Sequence, residues 1–257
     1  MLILALDTAT RAGSCALARG GRVVHESASD MTRAQAARLP GELVALLARE
    51  NVALKDVDLY AVATGPGSFT GLRVGIATMQ GLAVAAGKPL VGVSAFEALA
   101  VCGKHSAGSS GDPDSAPYSG VARAAVWIDA WRGEVYAALY EHGREVEPPC
   151  VAHPEELLRR LAGQPTMFIG DGAAAHQDLI RTVFGRRADF AAPIAPLLAG
   201  TVATLAAAAA QAGHRPPPHA LRPLYVRRSD AELSREASGS SAGRQGPEAK
   251  RNSLARP

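Results

Sequence analysis

Aromatic residues are scarce in this 257-residue chain, 5% of the total, which leaves few rings for unpaired bases to stack on and argues against a dedicated RNA-binding module. The three cysteines, Cys15, Cys102 and Cys150, are odd in number, widely spaced and without a C-x-x-C pattern. They suggest neither a disulfide framework nor a zinc knuckle, and are expected as packed free thiols. Among the seven histidines no pair stands four residues apart, and no serine sits in G-x-S-x-G, so a metal site of that type and a hydrolase elbow both lack a local signature. No run approaches the roughly 20 apolar residues of a membrane span, and the start, Met1 to Asp7, meets a carboxylate before a signal peptide takes shape. A soluble, cytoplasmic protein with no membrane contact is the expectation.

Net charge is also nearly absent once it is divided along the chain. Residues 227–257 hold seven Lys/Arg against four acids, a net +3, and 20 bases face 20 acids in residues 1–226. The body is neutral in sum, although a sum says nothing about a local basic patch. The Ser/Gly/Arg-rich stretch 227–257 is expected to be a disordered basic tail.

What is present is alternation of strands and helices. Leu2 to Leu6, Cys15 to Ala18 and Val23-Val24 read as strands joined by turns, and Leu39, Leu43, Leu46 and Leu47 recur at helical spacing, with Pro40-Gly41 expected to kink that segment or start a fresh helix. A strand over 59–64, a helix to about Ala86 and a strand over 90–93 follow. Residues 103–120 consist almost wholly of turn formers and are expected to be a flexible insertion. The pattern then restarts, with strands at 124–128, 135–140 and 167–169 and a helix over 155–161. Asp7 answers in order to Asp129, and Gly65-x-Gly67 to Gly170-x-Gly172. An α/β chain with a first subdomain over 1–102 and a second over 121–196 follows, the Ala-rich helix and short apolar piece within 197–226 packing back on the first.

Two segments carry candidate chemistry. Asp7 ends a buried-looking strand and precedes Thr8 and Thr10 in a turn, where it either orients a magnesium-bound water near phosphate or caps its own turn. Gly65, Gly67 and Ser68 open a loop leading into a helix N-terminus, a plausible anion cradle with Ser68 or Thr70 as cap. The segment has neither the P-loop lysine nor the G-x-G-x-x-G spacing. The helix after it is apolar nearly all round, so a second helix is expected against Gly71 and Gly75, from this chain or from another subunit.

The strings Ile3-Leu-Ala-Leu-Asp-Thr-Ala-Thr10, Gly65-Pro-Gly-Ser-Phe-Thr-Gly-Leu-Arg-Val-Gly75, Trp127-Ile-Asp-Ala-Trp-Arg-Gly-Glu-Val-Tyr136 and Pro223-Leu-Tyr-Val-Arg227 together resemble the TsaB, or YeaZ, family over roughly residues 1–228. The resemblance implies an actin-like ATPase (ASKHA) fold of two duplicated βββαβα subdomains. It also implies a non-catalytic scaffold subunit that pairs directly with the catalytic paralogue TsaD and, through it, works with the ATPase TsaE. The complex transfers a threonylcarbamoyl group to the adenosine that follows the anticodon of tRNA, so tRNA is met indirectly. The family's pairing surface is a four-helix bundle, here implied for Gln35 to Glu50 and Gly71 to Ala86, with Leu39, Leu43, Leu46, Gly71, Leu72, Gly75, Thr78, Met79 and Leu82 as interface residues. Subunits of this kind also pair with themselves through that surface.

Departures accompany the resemblance. Thr8 stands where active ATPases of the fold carry glycine, and Arg33-Ala34-Gln35 replaces an expected His-Ser pair. The paralogue's His-x-x-x-His metal pair is missing. No catalytic residue, no metal and no cofactor are therefore expected in this chain, with ATP or ADP and magnesium placed at the complex interface. A small-molecule kinase or ATPase with Asp7 and Asp129 as paired magnesium-orienting carboxylates is the alternative, and a metallopeptidase lacks its ligands.

Overall fold

The structure, a computed structural model, describes residues 1–30, 35–106, 122–161 and 163–226. The expected tail over 227–257, most of the expected insertion (107–120) and the Arg33-Ala34 departure lie outside the described residues. Residues 1–226 form one compact unit.

Among the described residues, ten strands form two five-stranded sheets. The first holds β1 (Leu2–Asp7), β2 (Ser14–Arg19), β3 (Arg22–Ala28), β4 (Leu59–Ala63) and β5 (Leu90–Val93) in the order β3-β2-β1-β4-β5. The second holds β6 (Arg123–Asp129), β7 (Val135–Glu141), β8 (Arg144–Ala152), β9 (Thr166–Ile169) and β10 (Ala188–Phe190) in the order β10-β9-β6-β7-β8. In both, the first three strands are antiparallel and the last two join in parallel. One sheet therefore repeats the topology of the other, the duplicated actin-like arrangement. The expected strands match to within a residue or two, except that β3 runs four residues beyond Val24; β8 and β10 are not among them.

Period-two alternation sorts each strand onto two layers. Leu2, Leu4 and Leu6 of β1 join the Leu39, Leu43, Leu46 and Leu47 stripe of α1 (Gln35–Arg49) and Ile76, Met79 and Ala83 of α2 (Phe69–Ala86). Ile3 and Ala5 face the opposite way, toward α3 (Ala95–Ser106) and α7 (Ala199–Gln211), which share one apolar cluster with Ala124, Val126 and Ile128 of the second sheet. The outer face of that sheet is covered by α4 (Pro154–Leu161) and α6 (Gln177–Phe184), with α5 (Asp171–Ala175) against the end of β6. Alanine dominates α7 because it lies directly on the first sheet, and larger side chains would hold it off. Its N-terminal amides are met by β2 and β3: Leu198 and Ala199 donate to Ser14 Oγ at 3.2 and 3.0 Å, and Gly200 donates to Glu26 at 2.8 Å.

Three expectations change. Of the two outcomes expected at Pro40-Gly41, a fresh helix does not occur: α1 is continuous, with exposed Pro40 inside it. Residues 103–106, expected to begin the insertion, instead end α3, where Gly103 packs against Met167. And one helix among the described residues, α2, is long and apolar enough by length and composition to cross a membrane, contrary to the reading of the sequence. Its buried residues, Gly71, Leu72, Gly75, Ile76, Met79 and Ala83, pack on the first sheet.

Candidate functional site

The β1–β2 turn is built around Asp7. Its carboxylate accepts the Ala9 amide at 2.8 Å, the Thr10 amide at 3.4 Å and the Thr10 hydroxyl, and no part of the side chain reaches solvent. Burial pushes its pKa up to about 6, against the pull of those donors, and nearby Asp171 adds to the rise. Of the two roles open to Asp7, the structure fills that of turn cap.

The Gly65–Ser68 loop closes over this turn. A β-carbon at Gly67 would come within 2.2 Å of the Ala9 carbonyl oxygen, and one at Gly75 within 2.1 Å of Thr8 Oγ1. The Ser68 amide donates to that Ala9 carbonyl at 3.1 Å, and its hydroxyl accepts the Gly71 amide at 3.1 Å as the N-cap of α2. The structure thus brings Asp7, Thr8, Thr10, Gly65, Gly67 and Ser68 together, but packs the loop on the turn, with the Ser68 amide donating to Ala9. Thr8 Oγ1 is buried without a hydrogen-bond partner and points at α2.

Across the lobe junction, Asp171 at the start of α5 accepts the Arg11 amide at 2.7 Å and the Asp129 amide at 3.0 Å. Burial raises its pKa, those amides and that of Gly172 oppose the rise, and Asp129 adds to it. Asp129 in turn accepts the Trp131 amide at 2.9 Å and pairs with the Arg11 guanidinium at 3.7 Å. The fold family implies a nucleotide with magnesium between the lobes, and these residues do not suit it: Asp7 is sealed in its own turn, and the cation beside Asp129 is Arg11. Among the described residues no group of three or more His, Cys, Asp or Glu is arranged to hold a metal ion.

Beyond Asp129 the chain turns through Trp131, Arg132 and Gly133, all with positive φ (+56°, +57° and +76°). A left-handed backbone is natural for Gly133 and costs about 1–2 kcal/mol per residue for the other two. The turn is held by Ala130 donating to the Glu134 carbonyl at 3.0 Å and Glu134 to that of Trp131 at 3.1 Å. Trp131 is 45% exposed, whereas Trp127, four residues earlier, is 1% exposed.

The outer helices need a correction. Leu39, Leu43, Leu46, Gly71, Leu72, Gly75 and Met79, expected at a partner interface, are buried within the chain, and Thr78 and Leu82 are half-buried. The leucine stripe is the stripe the sheet needs, and the small residue at Gly75 makes room for Thr8 rather than for another helix. The opposite sides of both helices are exposed and apolar: Ala37, Gly41, Val44, Ala45 and Ala48 on α1, and Ala77, Gly81, Val84 and Ala85 on α2. Val44 is 66% and Val84 63% exposed. At the head of α2, Arg73 lies 3.8 Å over the Phe69 ring and donates to Tyr225 Oη at 3.1 Å.

Comparison with known proteins settles the family. The family described as "TsaD: tRNA N6-adenosine threonylcarbamoyltransferase" matches residues 19–234. The Escherichia coli tRNA threonylcarbamoyladenosine biosynthesis protein TsaB is 35% identical over 70% of this chain and 75% of its own length. The chain belongs to the TsaB (YeaZ) family. Bacillus subtilis TsaB is 28% identical over 73% of the chain and 78% of its own length. The solved structure of YeaZ from Pseudomonas aeruginosa superposes with a TM-score of 0.66 at 30% identity, covering 87% of this chain and 99% of that one.

Sequence reasoning missed Arg11, Asp171, Val44 and Val84. For the two valines a signal was available: the helical positions opposite the leucine stripe, where a solvated face would carry charge, hold Ala, Gly and Val. Arg11 and Asp171 are 160 residues apart and become partners only through the sheet topology.

Proposed function

We propose that this chain is the non-catalytic subunit of the complex that forms threonylcarbamoyladenosine in tRNA, pairing with TsaD through the outward face of α1 and α2. The observation that carries the reading is the apolar exterior of that helix pair, with Val44 and Val84 at its most exposed points on helices whose inner sides already fill the core. Two helices with small, smooth outer faces suit a four-helix bundle, because residues such as Gly41, Ala48, Ala77 and Gly81 let helix axes come close. The role in this tRNA modification follows from the TsaB-named relatives and the match to the TsaD family.

The scaffold reading is supported by the state of the lobe junction. Asp7 is occupied as a turn cap and Arg11 sits beside Asp129, so the carboxylates a kinase would use to orient magnesium are engaged within the chain. The transfer chemistry is accordingly assigned to TsaD, and nucleotide with magnesium to the assembled complex and TsaE. Self-pairing through the same face in the absence of TsaD, and a cytoplasmic location, belong to the same proposal.

Light scattering on a size-exclusion column tests it. The expected result is a one-to-one complex with TsaD that replaces any self-paired form, and that is lost on Val84→Asp. A wild-type chain that stays monomeric beside TsaD overturns it.

A further inference from the structure

The tip between β6 and β7 places a tryptophan in the open where the fold does not need one. Trp131 packs into no apolar cluster, its backbone is held left-handed, and its amide is fixed by Asp129. The other oxygen of Asp129 faces the Arg11 guanidinium, whose side chain is 65% exposed. One carboxylate therefore fixes the backbone of an exposed tryptophan through one oxygen and pairs with an exposed cation of the other lobe through its second, and Arg132, also exposed, follows at once.

We propose that this tip receives an unpaired base of RNA, with the indole of Trp131 as the stacking plate and the Arg11 and Arg132 guanidinium groups taking the adjoining phosphate. A flat π-face beside a cation is the combination that binds a single-stranded nucleotide without regard to its identity. The surroundings favour this occupant over a protein. The turn that carries the ring is polar, with Asp129, Arg132, Gly133 and Glu134 beside Trp131 in the chain and the exposed His153 lying 3.3 Å from the Gly133 carbonyl. A protein hot spot is instead ringed by further apolar contact area. The proposal rests on the tRNA-modification reading and goes beyond it, since it gives this subunit a direct contact with tRNA.

The chain reports on itself, because its two tryptophans are Trp131 and the buried Trp127. Unmodified tRNA transcript added to the full-length chain is expected to quench the exposed emission, and Trp131→Phe to remove the quench while tRNA still binds. Trp131→Ala is expected to weaken binding about tenfold, within the range of one base–aromatic stack. Arg11→Ala is expected to weaken it and to lower the slope of log affinity against log salt by about one. Unchanged tRNA affinity in both Trp131→Ala and Arg11→Ala overturns the proposal. So does equal quenching by ATP at the same concentration, which would assign the ring to a free nucleotide, or quenching by TsaD alone without RNA, which would assign it to a protein. Light scattering of Trp131→Ala with TsaD keeps the two readings apart: a normal complex with unaltered tRNA affinity removes this proposal and leaves the scaffold standing.

Discussion

Gly75 and Thr8 occupy each other's space. The absent side chain of the helix residue lies where the threonine hydroxyl sits, 2.1 Å from where a β-carbon would stand, so α2 is seated on the turn that carries Asp7. The position reads in sequence as a notch for a partner helix, yet it joins the helix to the chain's own first strand.

Gly75→Ala is therefore expected to lower the stability of the isolated chain by about 1–3 kcal/mol, the usual scale for overpacking. Thr8→Ala in the same background should restore part of the loss, because it removes both the clash and a buried hydroxyl that has no partner. Urea unfolding of the two single variants and the double variant measures the coupling. Additive losses would mean that the two positions do not share that space.

Charge on the outer helices should act in the opposite way. Val44→Asp and Val84→Asp alter side chains that are mostly in water, so the melting temperature of the isolated chain should move little while binding to TsaD is lost. Thermal unfolding together with light scattering separates this pattern from that of Gly75.

Acidification should reveal Asp7. Its pKa is raised on folding, from 3.8 to about 6, so the folded state binds this proton more tightly than the unfolded chain does. The favourable contribution is full below about pH 4 and lost as pH rises through 6, a swing of about 3 kcal/mol. The difference in unfolding free energy between wild type and Asp7→Asn, followed from pH 4 to pH 7, should trace that loss. A flat difference would place the titration elsewhere.

Asp171→Ala should loosen the contact between the lobes, since this carboxylate holds the amides of both Arg11 and Asp129. Hydrogen exchange at the Arg11 amide is expected to speed up markedly in the variant, while amides at the centre of β1 keep their protection. Unchanged exchange at Arg11 would show that another group shields it.

Much of the architecture could be read before any coordinates. The alternation in Leu2–Leu6, the Leu39–Leu47 stripe and the two glycine pairs are local signals; Gly67 presses on the backbone at Ala9, just past β1, and Gly170 and Gly172 press on Trp127 and Ile128 of β6, whereas Gly65 meets Leu224 and Leu72. The functional assignments were harder, because pattern alone does not say which side of an apolar helix is spoken for. Leu39 and Met79 satisfy the sheet, and only the register of α1 and α2 against it leaves Val44 and Val84 outside. The bond between Arg11 and Asp171 depends on two lobes meeting, and no window of sequence contains both. The α3 helix was hidden because Gly103 to Ser106 resemble the turn formers that follow them.

The first sheet is built from residues 2–93 but covered on one side by a helix that begins at Ala199. α7 covers the side of β1 and β2 opposite α1, and beyond it Leu224 donates to the Thr64 carbonyl at 2.8 Å while Tyr225 meets Arg73 on α2. During synthesis the side of β1 that carries Ile3 and Ala5 consequently lacks its α7 cover until nearly 200 further residues have been made. The head of α2 is thus held from two sides, by the early turn where Ser68 bonds Ala9 and Gly75 meets Thr8, and by that late segment. Residues as far along as Tyr225 must thus be made before α2 has all of its contacts, and a product ending before Leu224 would carry that helix with one of its two holds missing.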